Sequence, residues 1–317
     1  MHKNKLLGLV GLISAALIGG AILPALIRWS TTLIHPFVLN WIRVSFALPI
    51  LYFLFKRKIV WRKLRQSKTL MLASLLALGL TINVTLFAFG IHQTTLIASQ
   101  LIYVIVPIFA SGLARIFLQE KNNQKKFFGM GLALLGVLIL IIFSKSPAER
   151  MSLGSFAGNL LIFLAMLGYT IYLTFSKKIS QKLSLLEIIF ITNLLMSIIF
   201  FPLAIWALEH AAWQHLNLTS LIASSLVALA ALFFTALLQL AIKNLSVGSA
   251  SLGSLLSPEF AALTGLIFYQ EKFSLILILS LVLSLFGIVL SIQAEKLTLL
   301  DRIKLKIQRI YNLKEKL

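Results

Sequence analysis

Residues 97–121 read IASQLIYVIVPIFASGLARIFLQEK, and residues 248–272 read GSASLGSLLSPEFAALTGLIFYQEK. The two stretches align without a gap at an offset of 151 residues, which places Pro107 on Pro258 and one Gln-Glu-Lys triplet on the other. The same offset pairs Gly136 with Gly287 further along the chain. Leu and Ile match easily in apolar sequences, whereas prolines and a polar triplet do not. The sequence therefore contains an internal repeat, which is the first feature to interpret.

The composition of the chain indicates a membrane protein. Apolar residues make up 59% and charged residues 12% of the 317 residues, and the mean hydropathy is +0.98. A soluble globule of this length leaves about a quarter of its surface in water and could not cover so much apolar surface. A soluble enzyme and a disordered chain are both excluded. Ten apolar runs are about 20 residues long, enough to span a bilayer as helices: 6–27, 34–55, 70–91, 95–118, 127–144, 156–175, 187–208, 219–242, 248–269 and 274–293.

The spacing of these runs predicts an all-α fold of ten transmembrane helices in two inverted repeats. Five spans per copy is an odd number, so the second copy enters the membrane from the opposite side. We expect the first repeat at 1–145 and the second at 152–295. Inverted repeats are typical of secondary transporters, whose binding site lies between the halves near the bilayer midplane.

The basic residues predict the orientation. With ten spans, 24 of the 29 Lys and Arg residues fall on the side of the N-terminus, so both termini are expected in the cytoplasm. This asymmetry explains the net charge of +20 through anionic-lipid contacts rather than nucleic acid. The tail 296–317 has apolar residues at three- and four-residue steps with basic residues between them. It is either an amphipathic helix on the inner membrane face or a frayed basic tail.

Both copies of the repeat carry a mid-helix proline and a glutamate at the helix end, Pro107 with Glu120 and Pro258 with Glu271. With Arg43 in the second span and the stretch Gly158–Tyr172 in the sixth, the chain resembles the EamA-type transporters of the drug/metabolite transporter superfamily. The resemblance implies ten helices in two five-helix repeats. It also implies a carrier of the bacterial inner membrane, a monomer or homodimer, that often exports amino acids or related solutes.

The two prolines suggest a substrate cavity. Pro107 frees the carbonyl of Tyr103, and Pro258 frees that of Ser254, because proline cannot donate to the residue four positions earlier. A free carbonyl must face protein or a wet cavity within the bilayer. Alternatively, the prolines only shape helix packing, and Ser254 bonds within its own helix. Three residues in each copy are spaced to share one helix face, and they occupy corresponding positions of the repeat. These candidate lining residues are Gln100, Tyr103 and Pro107 in the first copy and Ser251, Ser254 and Pro258 in the second.

One further polar residue is a candidate for the cavity. Tyr169 follows Gly168, where a partner helix can approach, and could contact substrate. The other polar residues within spans are interpreted as helix–helix hydrogen bonds: Asn83, Tyr172, Asn193 and Gln239.

The charged candidates are Arg43, Glu259, Glu120 and Glu271. Arg43 lies about 10 Å into its span and either snorkels as an anchor or pairs with a carboxylate or an anionic substrate. Glu259 lies near mid-span, where it either titrates during coupling or forms a fixed pair with Arg43. Glu120 and Glu271 are expected to hold the loops at their helix ends through backbone N–H groups or adjacent lysines. A gating role is the alternative.

No enzymatic motif accompanies these residues. The chain has no H-E-x-x-H, no G-x-S-x-G and no P-loop, and its five histidines lie at span ends or in loops, so neither a metal nor a cofactor is expected. The best hypothesis is a secondary transporter of a small polar metabolite. The alternatives are a channel and a membrane-embedded enzyme acting on a lipid or lipid-linked substrate. The enzyme would need clustered carboxylates or histidines near an interface.

Overall fold

The computed structural model describes residues 2–56, 66–118, 124–146, 150–210, 216–245, 257–287 and 289–290. Across these residues the chain is helical and contains no strand. A π-helical segment at Ile18–Ile22 interrupts the first helix. The α-helices in chain order are α1 His2–Leu17, α2 Leu23–Ser30, α3 Pro36–Phe55, α4 Ser67–Ile91, α5 Leu96–Tyr103, α6 Val106–Leu118, α7 Gln124–Phe143, α8 Arg150–Leu153, α9 Phe156–Ile179, α10 Leu185–His210, α11 Leu218–Asn244, α12 Ser257–Tyr269 and α13 Leu275–Gly287.

The described helices confirm an all-helical membrane protein. Seven stretches are long and apolar enough to cross a bilayer, including Leu6–Ser30, which joins α1, the π-helical segment and α2. Three apolar helices are shorter within the described residues, at Gly131–Phe143, Phe260–Tyr269 and Leu275–Gly287. Each of these stretches overlaps one of the ten apolar runs of the sequence.

Glycines allow the helices to approach each other closely. A Cβ atom at Gly168 of α9 would lie 2.7 Å from the carbonyl oxygen of Gly79 in α4. A Cβ atom at Gly11 of α1 would lie 2.9 Å from the carbonyl oxygen of Leu237 in α11. Small residues at such crossings are the usual means of close packing in membranes. The first helix of each half of the chain thus packs against the third long helix of the other half.

The helices α7 and α13 meet through a reciprocal contact. A Cβ atom at Gly136 would clash with Ser284, and one at Gly287 would clash with the backbone of Ala133. The Ser284 hydroxyl donates to the Ala133 carbonyl over 3.2 Å. Neither glycine can be replaced without moving the two helices apart.

The fourth apolar run is a broken helix, which corrects the expectation of one continuous face. Turn residues Val104 and Ile105 separate α5 from α6, and Pro107 is the second residue of α6. Proline is well tolerated there, because the first turn of a helix needs no N–H donor. Tyr103 consequently ends its helix, and Pro107 no longer shares a face with Gln100 and Tyr103.

Candidate substrate cavity

A cavity of about 900 Å³, including its open mouth, lies between the two halves of the chain. Its wall is formed by the first span with its π-helical segment, by α3, α4, α5, α9 and α11, and by the first residue of α12. Most of the lining is apolar. The polar side chains that line it are Arg43, Asn83, Gln100, Tyr103, Tyr169, Tyr172, Thr235 and Ser257.

Arg43 is the charged residue among the lining residues that the structure describes. It is only 8% exposed, and α3 carries it into the cavity wall. No carboxylate belongs to the part of the lining that the structure describes. Within the same residues, the ion pair observed is Arg28 with Glu271, and nothing forms an ion pair or side-chain hydrogen bond with Arg43. Tyr103 and Tyr172 line the same cavity.

Aromatic rings form a continuous wall beside Arg43. The rings of Phe87 and Tyr103 meet edge to face at 5.8 Å, and Tyr103 lies 5.8 Å from Tyr169. Tyr169 in turn stacks on Tyr172 at 6.2 Å. Contacts of this kind hold rings rigidly and leave their outer faces to a ligand.

Two amide side chains orient the tyrosine hydroxyls. The Asn83 side-chain NH₂ donates to the Tyr103 hydroxyl oxygen and, over 2.9 Å, to the carbonyl of Ala165. The Gln239 side-chain NH₂ donates to the Tyr172 hydroxyl oxygen over 2.6 Å. A hydroxyl that accepts from an amide keeps its own proton for another partner. Tyr103 can therefore donate toward the cavity.

The structure brings together four of the predicted site residues, Arg43, Gln100, Tyr103 and Tyr169. The two candidate prolines, Pro107 and Pro258, are buried but do not line the cavity, and Ser257 lines it beside the second proline. Three predicted positions lie outside the described residues: Ser251, Ser254 and Glu120. The side chain of Glu259 is likewise not described.

Glu271 lies away from the cavity, in a saturated polar cluster. Its carboxylate accepts from the backbone N–H groups of Leu96 at 2.6 Å and Ile97 at 3.1 Å, which begin α5. It also pairs with Arg28 at 2.5 Å. The N–H groups therefore belong to a distant helix rather than to the neighbouring loop, and the cation is Arg28 rather than an adjacent lysine. Arg28, Glu271 and the first turn of α5 are hereafter the Glu271 cluster.

Backbone geometry positions Glu271 for this role. Gln270 adopts a positive φ of 52°, and the N–H of Glu271 bonds to the Gly265 carbonyl over 3.1 Å. A left-handed residue after the last turn ends many helices, and glycine usually occupies that position. A Cβ atom on Gly265 would lie 2.5 Å from a carboxylate oxygen of Glu271, so the bare glycine leaves room for the acid.

The candidate lining predicted from the sequence omits Asn83, Tyr172 and the first span, which are part of the cavity wall. Asn83 and Tyr172 were expected to join helices, and they do so while also lining the cavity. The first span was not considered, yet Gly19 and Pro24 are part of the wall. The three-residue spacing of Tyr169 and Tyr172 was a usable signal, because such residues share a helix face.

Comparisons with known proteins agree with this architecture. The model of the EamA-like transporter family matches residues 6–142 and again residues 156–293. A solved structure titled "Crystal structure of protein" is similar with a TM-score of 0.62 and 15% identity, over 94% of this chain and 99% of that one. That likeness concerns the fold alone. No curated protein matches the sequence. Because the family model covers most of the chain in two successive copies, this protein belongs to the EamA-like transporter family.

Proposed function

We propose that this chain is a secondary transporter that exports a small polar metabolite, such as an amino acid or a related solute, by alternating access. It acts in the bacterial inner membrane, as a monomer or homodimer, with both termini in the cytoplasm. The observation that carries the proposal is the cavity between the two halves, whose polar side chains face an apolar and aromatic wall. Transporter sites are typically placed between halves in this way.

The contact between α7 and α13 supports the inverted repeat of ten helices, with repeats at 1–145 and 152–295. At the offset of 151 residues, Gly136 corresponds to Gly287 and Ala133 corresponds to Ser284. A two-fold relation between the halves therefore requires that a contact of Gly136 with Ser284 be accompanied by a contact of Gly287 with Ala133, and both contacts occur. Reciprocal contacts of this kind are the mark of a two-fold relation. They favour two halves related by a two-fold axis that passes between α7 and α13.

The crossings of the long helices support alternating access. The first span of each half packs on the third long helix of the other half, through Gly11 on one side and Gly168 on the other. The cavity lies between these two crossings. A small rotation of one half against the other would open the cavity first to one membrane face and then to the other.

Glu259 is the candidate for coupling. We propose that this acid binds or releases a proton as the cavity changes sides. Glu259→Gln should leave substrate binding and folding intact but abolish accumulation against a gradient. Wild-type accumulation with unchanged pH dependence would remove Glu259 from the mechanism.

Counterflow into proteoliposomes tests the proposed function. The purified chain is reconstituted with one unlabelled solute inside, and uptake of the labelled solute is followed for amino acids, organic acids, nucleosides and sugars. Transport predicts saturable uptake that is competed by one class of solutes. Uptake of every solute without saturation, slower for the larger solutes, would indicate a channel, and no uptake of any class would contradict transport.

Topology can be tested independently because the chain has no cysteine. Single cysteines at Ser146 and Leu317 should react with an impermeant thiol reagent from opposite sides of the membrane. Reaction from the same side would contradict the ten-span count and the inverted repeat together.

A further inference from the structure

We infer that the cavity recognises its substrate through a carboxylate, with Arg43 as the anion-binding residue, and that the body of the substrate is apolar or aromatic. The inference rests on the proposed function, because it takes the ligand of this cavity to be the transported solute. It goes further by assigning the charge, the contacting group and the character of the solute.

Arg43 lacks a counter-charge among the residues that the structure describes. An arginine in the middle of a membrane helix is energetically costly, and such residues ordinarily have a partner. Arg28 has Glu271, whereas Arg43 has no ion-pair partner in the described part of the chain and faces the cavity. A bound anion would supply the charge that the described lining does not.

The cavity lining also offers hydrogen-bond donors to a ligand. Tyr103 accepts from Asn83, whose orientation is fixed by the Ala165 carbonyl, so the Tyr103 proton is available to a ligand. Gln100 is 4% exposed and forms no side-chain hydrogen bond with the residues that the structure describes. Guanidinium, phenol and amide N–H groups in one cavity form a donor set. A carboxylate accepts several hydrogen bonds at once and takes two parallel ones from an arginine.

The charge and the apolar lining of the cavity indicate the character of the rest of the ligand. One guanidinium balances one negative charge, which indicates a monoanion. The remaining wall is provided by aliphatic side chains and by the rings of Phe87, Tyr169 and Phe234. Most of the described lining is apolar, which is typical of sites for small organic ligands. A short aliphatic or aromatic carboxylic acid satisfies both the charge and the lining.

Three probes with one carbon skeleton test the assignment. 3-Phenylpropionate, 3-phenylpropan-1-ol and 3-phenylpropan-1-amine differ in charge but share their ring and chain. Binding to the purified full chain is measured by titration calorimetry at pH 7.5. We expect the carboxylate to bind at least tenfold more tightly than the alcohol and the amine. Equal or tighter binding of the alcohol or the amine would overturn the inference, as would the absence of binding by the carboxylate at millimolar concentration.

Variants locate the site. Arg43→Met keeps the apolar length of the side chain and removes its charge, and Arg43→Gln keeps hydrogen bonding; each should weaken carboxylate binding at least tenfold. Tyr103→Phe should weaken it several-fold, since only the hydroxyl is lost. Arg115→Gln is the matched control, because it removes one positive charge from an exposed residue outside the cavity. Unchanged carboxylate binding in both Arg43 variants would overturn the assignment of Arg43.

The two proposals fail in different ways. Carboxylate binding that depends on Arg43, without counterflow of any solute, contradicts transport and leaves the ligand assignment standing. Counterflow restricted to solutes that carry no carboxylate contradicts the ligand assignment but not the proposed transport.

Discussion

Two arginines on successive helices, α2 and α3, have opposite surroundings. Arg28, near the end of the first span, pairs with Glu271 at 2.5 Å and lies 4.5 Å from the centre of the Tyr269 ring. Arg43, in α3, lines the cavity without a carboxylate beside it in the described part of the chain. An arginine side chain is therefore fully paired at position 28, whereas at position 43 its N–H donors have no carboxylate partner in the described structure.

The difference separates stabilisation from binding. In the Glu271 cluster the carboxylate accepts from two N–H groups of α5 and from Arg28, so each charge is compensated within the protein. A group compensated in this way joins distant parts of the chain, here α2, α5 and the residues after α12. Among the described residues Arg43 makes no such connection, so we expect its main contribution to be the binding of what enters the cavity.

The largest expected effect is the loss of the carboxylate in the Glu271 cluster. Glu271→Gln should destabilise the protein by about 3 kcal/mol or more, because it leaves Arg28 without its counter-charge and weakens the cap of α5. A fall in yield and in the thermal midpoint of the detergent-solubilised protein would record this loss. Lys272→Gln is the control, since that neighbour is exposed. An unchanged midpoint combined with loss of transport would mean that Glu271 is a gate instead.

The opposite result is expected for the other arginine. Arg43→Met should leave the free energy of unfolding unchanged or raise it by up to about 3 kcal/mol, because it removes a charge that lacks a partner in the described structure. The thermal midpoint checks this, and transport should fall at least tenfold in the same variant. A stability loss as large as that of Glu271→Gln would show that Arg43 is paired and would remove the contrast between the two arginines.

A smaller effect is expected at the turn that presents Glu271. Gln270 has a positive φ of 52°, which strains a residue with a side chain. Gln270→Gly should therefore stabilise the protein by about 1 kcal/mol, visible as a higher thermal midpoint. The same change at Lys272 gives no such relief and serves as the control. A lower midpoint for Gln270→Gly would indicate that the Gln270 side chain, not the turn, supports the Glu271 cluster.

The sequence predicts the helical fold more completely than it predicts the contacts of the Glu271 cluster. Apolar runs are long and lie between basic loops, so the helical membrane fold and the positions of the helices follow from hydropathy alone. The repeat depends on an aligned Pro and Gln-Glu-Lys, and it pointed to Glu271 as a residue that binds backbone N–H groups. Its partners could not be predicted, because Leu96 and Arg28 are 175 and 243 residues away and only tertiary packing brings them together.

The cavity was predictable in part for a related reason. Gln100 and Tyr103 share a helix face by spacing, so both were found. The break at Val104 and Ile105 removed Pro107 from that face, since a helix period cannot be extended across a turn. Asn83 and Tyr172 each serve a helix contact and the cavity wall, and a single sequence offers no means of separating two roles of one side chain.

Thiol labelling of the cavity from both sides of the membrane tests the central claim most directly. Thr235→Cys places a small thiol in the cavity wall of a chain without cysteine, and Phe233→Cys, two residues away and 62% exposed on the outside of the helix bundle, is the matched control. The account predicts that an impermeant thiol reagent modifies the Thr235→Cys variant in both right-side-out and inside-out vesicles and does not modify the Phe233→Cys variant. It also predicts that 3-phenylpropionate slows the reaction in the cavity unless Arg43 is replaced as well. Modification of the Thr235→Cys variant from one side only, or protection that persists without Arg43, would contradict it.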